Sequence, residues 1–232
     1  MIRIQSLKKI YNQETVLDIP SLEIPRSECF GLVGNNGAGK TTLFRIILDL
    51  VRPNDGHVML EGTDVTENEE WKQRVGSYLD EHMLLSYLTA TEYFETLRKI
   101  YGLSEEDLRL HLQNFEEFFN DEILNNKKYI RDLSKGNIKK VGIAAAFLGN
   151  PEVVLLDEPF ENLDPSSQNR LKRLVAGLKE ERQTTFLISS HDLTHVTDIC
   201  DRIVLLEKGK IIRDLKDRKE AMAQALDEYF NV

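Results

Sequence analysis

The chain has 232 residues, 41% of them hydrophobic, enough to bury the core of one large α/β domain or of a domain with a subdomain. No apolar run approaches the roughly 20 residues of a membrane-spanning helix, and residues 1–5 begin like a strand, so neither a span nor a cleavable leader is expected. A net charge of -9 argues against a nucleic-acid groove, and only two cysteines, Cys29 and Cys200, argue against a disulfide framework or zinc site and make a reducing compartment the default.

Residues 1–24 alternate as short strands around a Tyr11-Asn12-Gln13 turn, which predicts an antiparallel β layer. Residues 29–33 read as a short buried strand, and residues 42–48 as the start of a helix with an apolar face. Between them Gly34-Asn35-Asn36-Gly37-Ala38-Gly39-Lys40-Thr41 fills the GxxxxGK[ST] phosphate-loop template completely. A loop bent around a phosphate needs glycines where side chains would block the approach, and the N–H groups of the following helix then point at the anion. Lys40 is placed to bridge the outer phosphates, and the Thr41 hydroxyl to ligate magnesium.

A strand follows the Asp55-Gly56 turn at residues 58–60. From about residue 89 to 119 apolar residues recur at helical spacing with charged faces, which predicts a helical insertion with Phe115, Phe118 and Phe119 in its core. Then come a helix from about Ser134, a strand at residues 153–156, a helix after Pro165, and strands at 185–188 and 203–206. This alternation predicts a mostly parallel sheet covered on both faces, with ligands at the carboxyl ends of its strands. The strand at 153–156 runs straight into Asp157-Glu158-Pro159, and two carboxylates at a buried strand end call for an adjacent ion. Asp157 is the candidate magnesium holder. Glu158 is the candidate to orient or deprotonate an attacking water, a role worth ~10²–10⁴-fold in rate.

Leu133-Ser134-Lys135-Gly136-Asn137 resembles the LSGGQ-type signature of ATP-binding cassette (ABC) proteins, and other members of that set follow in family order. Tyr11 followed by Val16 resembles the adenine-stacking loop, Asn162-Leu163-Asp164 the D-loop, and Ser189-Ser190-His191-Asp192 the switch histidine. Read singly, these residues have simpler explanations. Ser134 is a good helix N-cap, Asp164-Pro165 a good cap and first-turn pair, His191 a surface histidine at a strand end, and Tyr11 a turn aromatic. As a base platform Tyr11 would contribute ~1–3 kcal/mol.

The resemblance covers the chain to about Arg213. It implies one ABC ATPase domain over 1–232: a β layer plus RecA-like core from 1–80 and 151–213, an α-helical subdomain with the signature at about 81–150, and a short tail at 214–232. The implied fold is a P-loop α/β core with a mostly parallel sheet and an N-terminal antiparallel β layer. The implied cofactors are ATP and Mg2+. The nucleotide site would comprise Tyr11, Val16, the loop Gly34, Asn35, Asn36, Gly37, Ala38, Gly39, Lys40 and Thr41, and Thr42. Ser134, Lys135 and Gly136 would act in trans, across a head-to-tail homodimer or heterodimer. Lys40, Glu158 and His191 would be catalytic, and Asp164 would relay between the two sites. Where the family has a magnesium-contacting glutamine, this chain has Asp80, with Glu81 next, so Asp80 joins Thr41 and Asp157 as a metal candidate. The implied function is the ATPase subunit of a transporter, on the cytoplasmic face of a separate membrane permease that docks between Tyr78 and Tyr101. The competing expectation is a soluble non-transport ABC ATPase. No nucleic-acid partner is expected.

Overall fold

The computed structural model describes residues 1–124, 127–216 and 222. It opens with the hairpin β1 (Ile2–Tyr11) and β2 (Glu14–Ile24), turned by Asn12 and Gln13 in the left-handed conformation that such a tight connection requires. Alternate residues of β1 are buried at its start, Ile2 and Ile4 inward and Arg3 outward. β3 (Cys29–Val33), buried throughout, leads to α1 (Lys40–Ile47); β4 (Asp55–Leu60) and β5 (Thr63–Asp64) then complete a four-stranded layer of order β2-β1-β4-β5.

β6 (Val75–Tyr78) precedes four helices: α2 (Ala90–Ile100), α3 (Glu105–Asn114), α4 (Glu116–Phe119) and α5 (Lys135–Ala146). α2 and α3 begin with reciprocal capping boxes, Thr89 with Glu92 and Ser104 with Asp107, which satisfy backbone donors that a helix start leaves open. β7 (Val153–Leu156), α6 (Pro165–Arg182), β8 (Thr185–Ser190), α7 (Leu193–Ile199), β9 (Arg202–Glu207) and β10 (Lys210–Leu215) follow. The second sheet has the order β10-β9-β3-β8-β7-β6, parallel except for β10. The fold is α/β, with the antiparallel layer and α1 on one face of the large sheet and the other helices on the opposite face. No helix among the described residues is long and apolar enough to cross a membrane.

Two buried clusters line the faces of the large sheet. One joins the β layer and α1 to it through Ile4, Ile19, Phe44, Leu155 and Leu187. The other joins α2 to α5 to the opposite face through Phe94, Phe119, Phe147, Val154 and Phe186, so the helical region shares its apolar core with the sheet.

The helix expected to run through Phe119 is interrupted at Phe115, which leaves helical geometry (φ -101°, ψ 1°) while 2% exposed. Its ring packs 4.9 Å from His111 and 5.6 Å from Phe147, and this aromatic packing prevails over local helical spacing. Burial lowers the His111 pKa to about 4, keeping that ring neutral in the cluster. Two strands carry little periodic signal: β6 has only four residues, and β10 is a polar edge whose exposed side chains suit its position. The short tail expected at 214–232 begins within β10, and its residues from 217 on, Met222 apart, lie outside the described residues.

Phe147 stands 5.6 Å from Phe115 of the helical region and 5.8 Å from Phe186 of the sheet. Phe147→Ala is expected to cost ~3–5 kcal/mol in denaturant unfolding. Probes in α3 and in β8 should lose structure in one transition; two separated midpoints would contradict the shared core.

Candidate functional site

β3, β8 and β7 are neighbours in the parallel sheet, so their carboxyl ends open onto one place. The phosphate loop leaves β3 there. Gly39 takes φ +110° immediately before α1, and a Cβ on it would stand 2.8 Å from Leu17 Cδ2 and 2.9 Å from the Val16 carbonyl. β2 is thus pressed on the loop, which brings Val16 to it. The Gly209 N–H donates to the Ala38 carbonyl (2.9 Å), bracing the loop from the β9–β10 turn. Asn35, Asn36 and Gly37 form an exposed rim, whereas Lys40 is buried. The Lys40 ammonium folds back and donates to the carbonyls of Gly34 (2.6 Å) and Asn35 (3.3 Å). It also lies 3.1 Å from Glu158 Oε1, a charge contact without hydrogen-bond alignment. Thr41 and Thr42 open the first turn of α1, where backbone N–H groups and the helix dipole favour an anion.

Asp157, at the end of β7, is buried. Thr41 Oγ1 donates to its Oδ2 (2.5 Å), and Ser189 Oγ donates to its Oδ1. Burial pushes the Asp157 pKa up, and the two hydroxyls oppose that shift only in part. Glu158 follows in the left-handed conformation (φ +47°). Its N–H donates to Ser189 Oγ (2.9 Å), and its carbonyl accepts from the Lys139 ammonium (2.6 Å). Its Oε2 accepts from the His191 N–H (3.2 Å) and lies 2.9 Å from His191 Nδ1, the donor to an ionised carboxylate. Lys40, Thr41, Asp157, Glu158 and His191 therefore form one connected group.

Ser134 caps α5 by accepting from the Asn137 N–H (3.3 Å), and with Lys135 it is exposed. Gly136 lies against the segment leading to Asp164: a Cβ there would stand 2.8 Å from the Asn162 carbonyl. Among the described residues, no hydrogen bond or ion pair joins residues 134–136 to the phosphate loop of the same chain. Asp164 caps α6, its Oδ1 accepting from the Ser166 and Ser167 N–H groups (both 3.0 Å). Its Oδ2 accepts from Ser167 Oγ (2.5 Å), and these bonds, the Ser167 hydroxyl foremost, hold its pKa well below the usual carboxylate range. For both Ser134 and Asp164 the capping explanation is what the hydrogen bonds show.

Asp80 follows β6, beside β7, but its carboxylate is engaged locally. Oδ1 accepts from the His82 N–H (2.8 Å), and Oδ2 faces Arg45 Nη2 of α1 (3.4 Å). Among the described residues no hydrogen bond or ion pair joins it to Thr41 or Asp157. Tyr11 is exposed at the hairpin end, with the Lys9 ammonium 4.8 Å over its ring. Three residues of the network carried no sequence assignment of their own: Ser189, Lys139 and Arg45. Ser189 sits beside Asp157 because β8 pairs in parallel with β7, Leu156 opposite Ile188, and that register is not written in either strand alone.

The Thr41 hydroxyl and Asp157 carboxylate are hard oxygen donors converging at a strand end, and a cation there would relieve the burial cost of Asp157; the site fits magnesium. No group of three or more His, Cys, Asp or Glu side chains among the described residues could hold a metal alone, so such an ion would complete its shell with water and phosphate oxygens.

Residues 17–161 match the family model described as ABC transporter. An uncharacterized ABC transporter ATP-binding protein of Nostoc sp. (strain PCC 7120) is 34% identical over 220 residues, covering 91% of this chain and 65% of that protein. The lantibiotic transport ATP-binding protein SrtF of Streptococcus pyogenes is 32% identical over 235 residues, covering 100% of this chain and 96% of SrtF. The chain thus spans less than two thirds of the Nostoc relative and nearly all of SrtF. Among solved structures, a dimeric post-hydrolysis ATP-binding cassette bound to ADP and Pi is similar with a TM-score of 0.82 at 25% identity, covering 93% of this chain and 98% of that one.

Asp157 supplies a test that needs no ligand. A carboxyl whose pKa is raised by folding costs stability once ionised, and that cost is absent below the unfolded carboxylate's pKa and complete above the folded one. Asp157→Asn is therefore expected to raise the denaturation midpoint of the ligand-free protein at neutral pH. The gain should fade as pH falls toward the carboxylate range; a midpoint lowered at pH 7 would contradict the burial cost.

Proposed function

The chain belongs to the ABC transporter family, and from that membership we propose that it binds and hydrolyses ATP as the nucleotide-binding subunit of a membrane transporter. The observation that carries this reading is the convergence of Lys40, Thr41, Asp157, Glu158 and His191 at three adjacent strand ends. ATP phosphates lie in the cradle of residues 34–41, with the adenine toward Val16 and Tyr11. Lys40 exchanges its loop carbonyls and Glu158 for the outer phosphates, which leaves the Glu158 carboxylate free to act on water. Thr41 and Asp157 would hold a magnesium ion, which would supply charge neutralisation at the phosphate oxygens. His191 keeps Nδ1 on Glu158 and turns its other ring nitrogen to the terminal phosphate.

Two copies close head to tail. The exposed start of α5, with Ser134, Lys135 and Gly136, meets the γ-phosphate held by the other copy, and Asp164 lies on the link between the two sites. ATP favours the closed pair through contacts that vanish when the γ-phosphate leaves, so hydrolysis reopens it. The closure drives a separate permease, against which the subunit is seated on the cytoplasmic face of the membrane. The exposed Met83, Tyr87, Ile100 and Tyr101 supply the apolar surface for that partner. Asp80, paired with Arg45 of α1, would have to leave that partner to serve a metal at the phosphate loop.

Glu158→Gln is expected to keep ATP affinity within a few-fold while turnover falls by ~10²–10⁴-fold and ATP-bound dimers accumulate in light scattering. Wild-type turnover would remove Glu158 from this role. For the permease, a photo-crosslinker at Tyr87 is expected to trap a polytopic membrane protein in native membranes; a scan from Tyr78 to Tyr101 that yields no adduct would count against this docking face.

A further inference from the structure

Three positions at the start of α5 touch one short segment, residues 158–164. Lys139 donates to the Glu158 carbonyl at 2.6 Å. Lys140 lies 3.9 Å from Asp164 Oδ2, and Gly136 packs against the Asn162 carbonyl. Residues 136, 139 and 140 fall at i, i+3 and i+4, so a single helix face grips the segment from end to end. Both lysines are buried, Lys139 at 9% exposure and Lys140 at 4%.

The grip matters most at Glu158. A left-handed conformation strains a residue with a side chain, and it persists only where the surroundings fix it. Ser189 fixes the N–H side, and the Lys139 ammonium fixes the carbonyl side. Without the second anchor the backbone can relax out of this conformation, and the carboxylate then swings away from Lys40 and His191. Burial also lowers the Lys139 pKa, so folding spends stability to keep this ammonium in place.

We propose that Lys139 is a positioning residue for ATP hydrolysis: by holding the Glu158 carbonyl, the signature helix of each copy aims the hydrolytic carboxylate of that same copy. The inference rests on the reading of Glu158 given above. It has a consequence for coupling. Ser134 caps the same helix five residues before Lys139, so an ATP engaged by the signature of one copy pulls on the helix that aims that copy's own Glu158.

Lys139→Met keeps the stem and removes the donor. It is expected to lower kcat by about tenfold or more, while the KM for ATP and the binding of a non-hydrolysable analogue change less than about threefold. ATP-bound dimers should accumulate, Lys139→Arg should recover most of the rate, and Lys139→Met added to Glu158→Gln should slow turnover no further. The proposal is overturned if Lys139→Met keeps wild-type kcat, or if kcat and analogue binding fall in parallel with thermal stability, as a merely structural lysine would give. Should Lys139→Met not fold, Lys139→Leu carries the same comparison, again without a donor. A fast Glu158→Gln sinks the underlying reading together with this one. A slow Glu158→Gln beside a fast Lys139→Met sinks only the positioning.

Discussion

A carboxylate taken out of water at the end of β7 governs the arrangement around it. Among the described residues Asp157 makes no ion pair, although Lys40 adds a favourable charge; its oxygens are satisfied by the hydroxyls of Thr41 and Ser189, which come from the helix after β3 and from β8. An ionised group so placed is costly unless its acceptors are filled, so the three strand ends are tied together by the need to satisfy it. The same tie places Glu158 one residue further on, its N–H on Ser189 and its carboxylate between Lys40 and His191.

The two apolar clusters explain how distant parts of the chain bear on that centre. The β layer and α1 share one cluster and press Val16 and Leu17 on the phosphate loop. The helical region shares the other with the opposite face of the sheet, where Phe147 links Phe115 to Phe186. Close-packed interiors transmit displacement instead of absorbing it. The start of α5 is therefore mechanically joined to the segment bearing Glu158 and Asp164, through Lys139, Lys140 and the close approach at Gly136.

Several polar side chains are accounted for by local structure. Ser134 and Asp164 satisfy open backbone donors of α5 and α6. A helix start leaves backbone N–H donors open, and an oxygen acceptor at the N-cap fills them. Asp80 is a harder case: it caps a turn and faces Arg45, so its position near the site comes with partners of its own.

The amino-acid sequence alone determined the phosphate loop, the strand end bearing Asp157 and Glu158, the Ser134 and Asp164 caps, and the α/β alternation. Each of these is local: its signal is a spacing or a residue type within one element, and the physics that requires it acts over a few residues. The tertiary structure decided what depends on register and packing between elements. The parallel pairing of β7 with β8 put Ser189 against Asp157, and a shared aromatic cluster broke the helix at Phe115. The fold also turned a lysine that reads as one more polar position of α5 inward to the Glu158 carbonyl. Such contacts join residues 19 or 32 positions apart, and only the burial of both partners in one fold sets them.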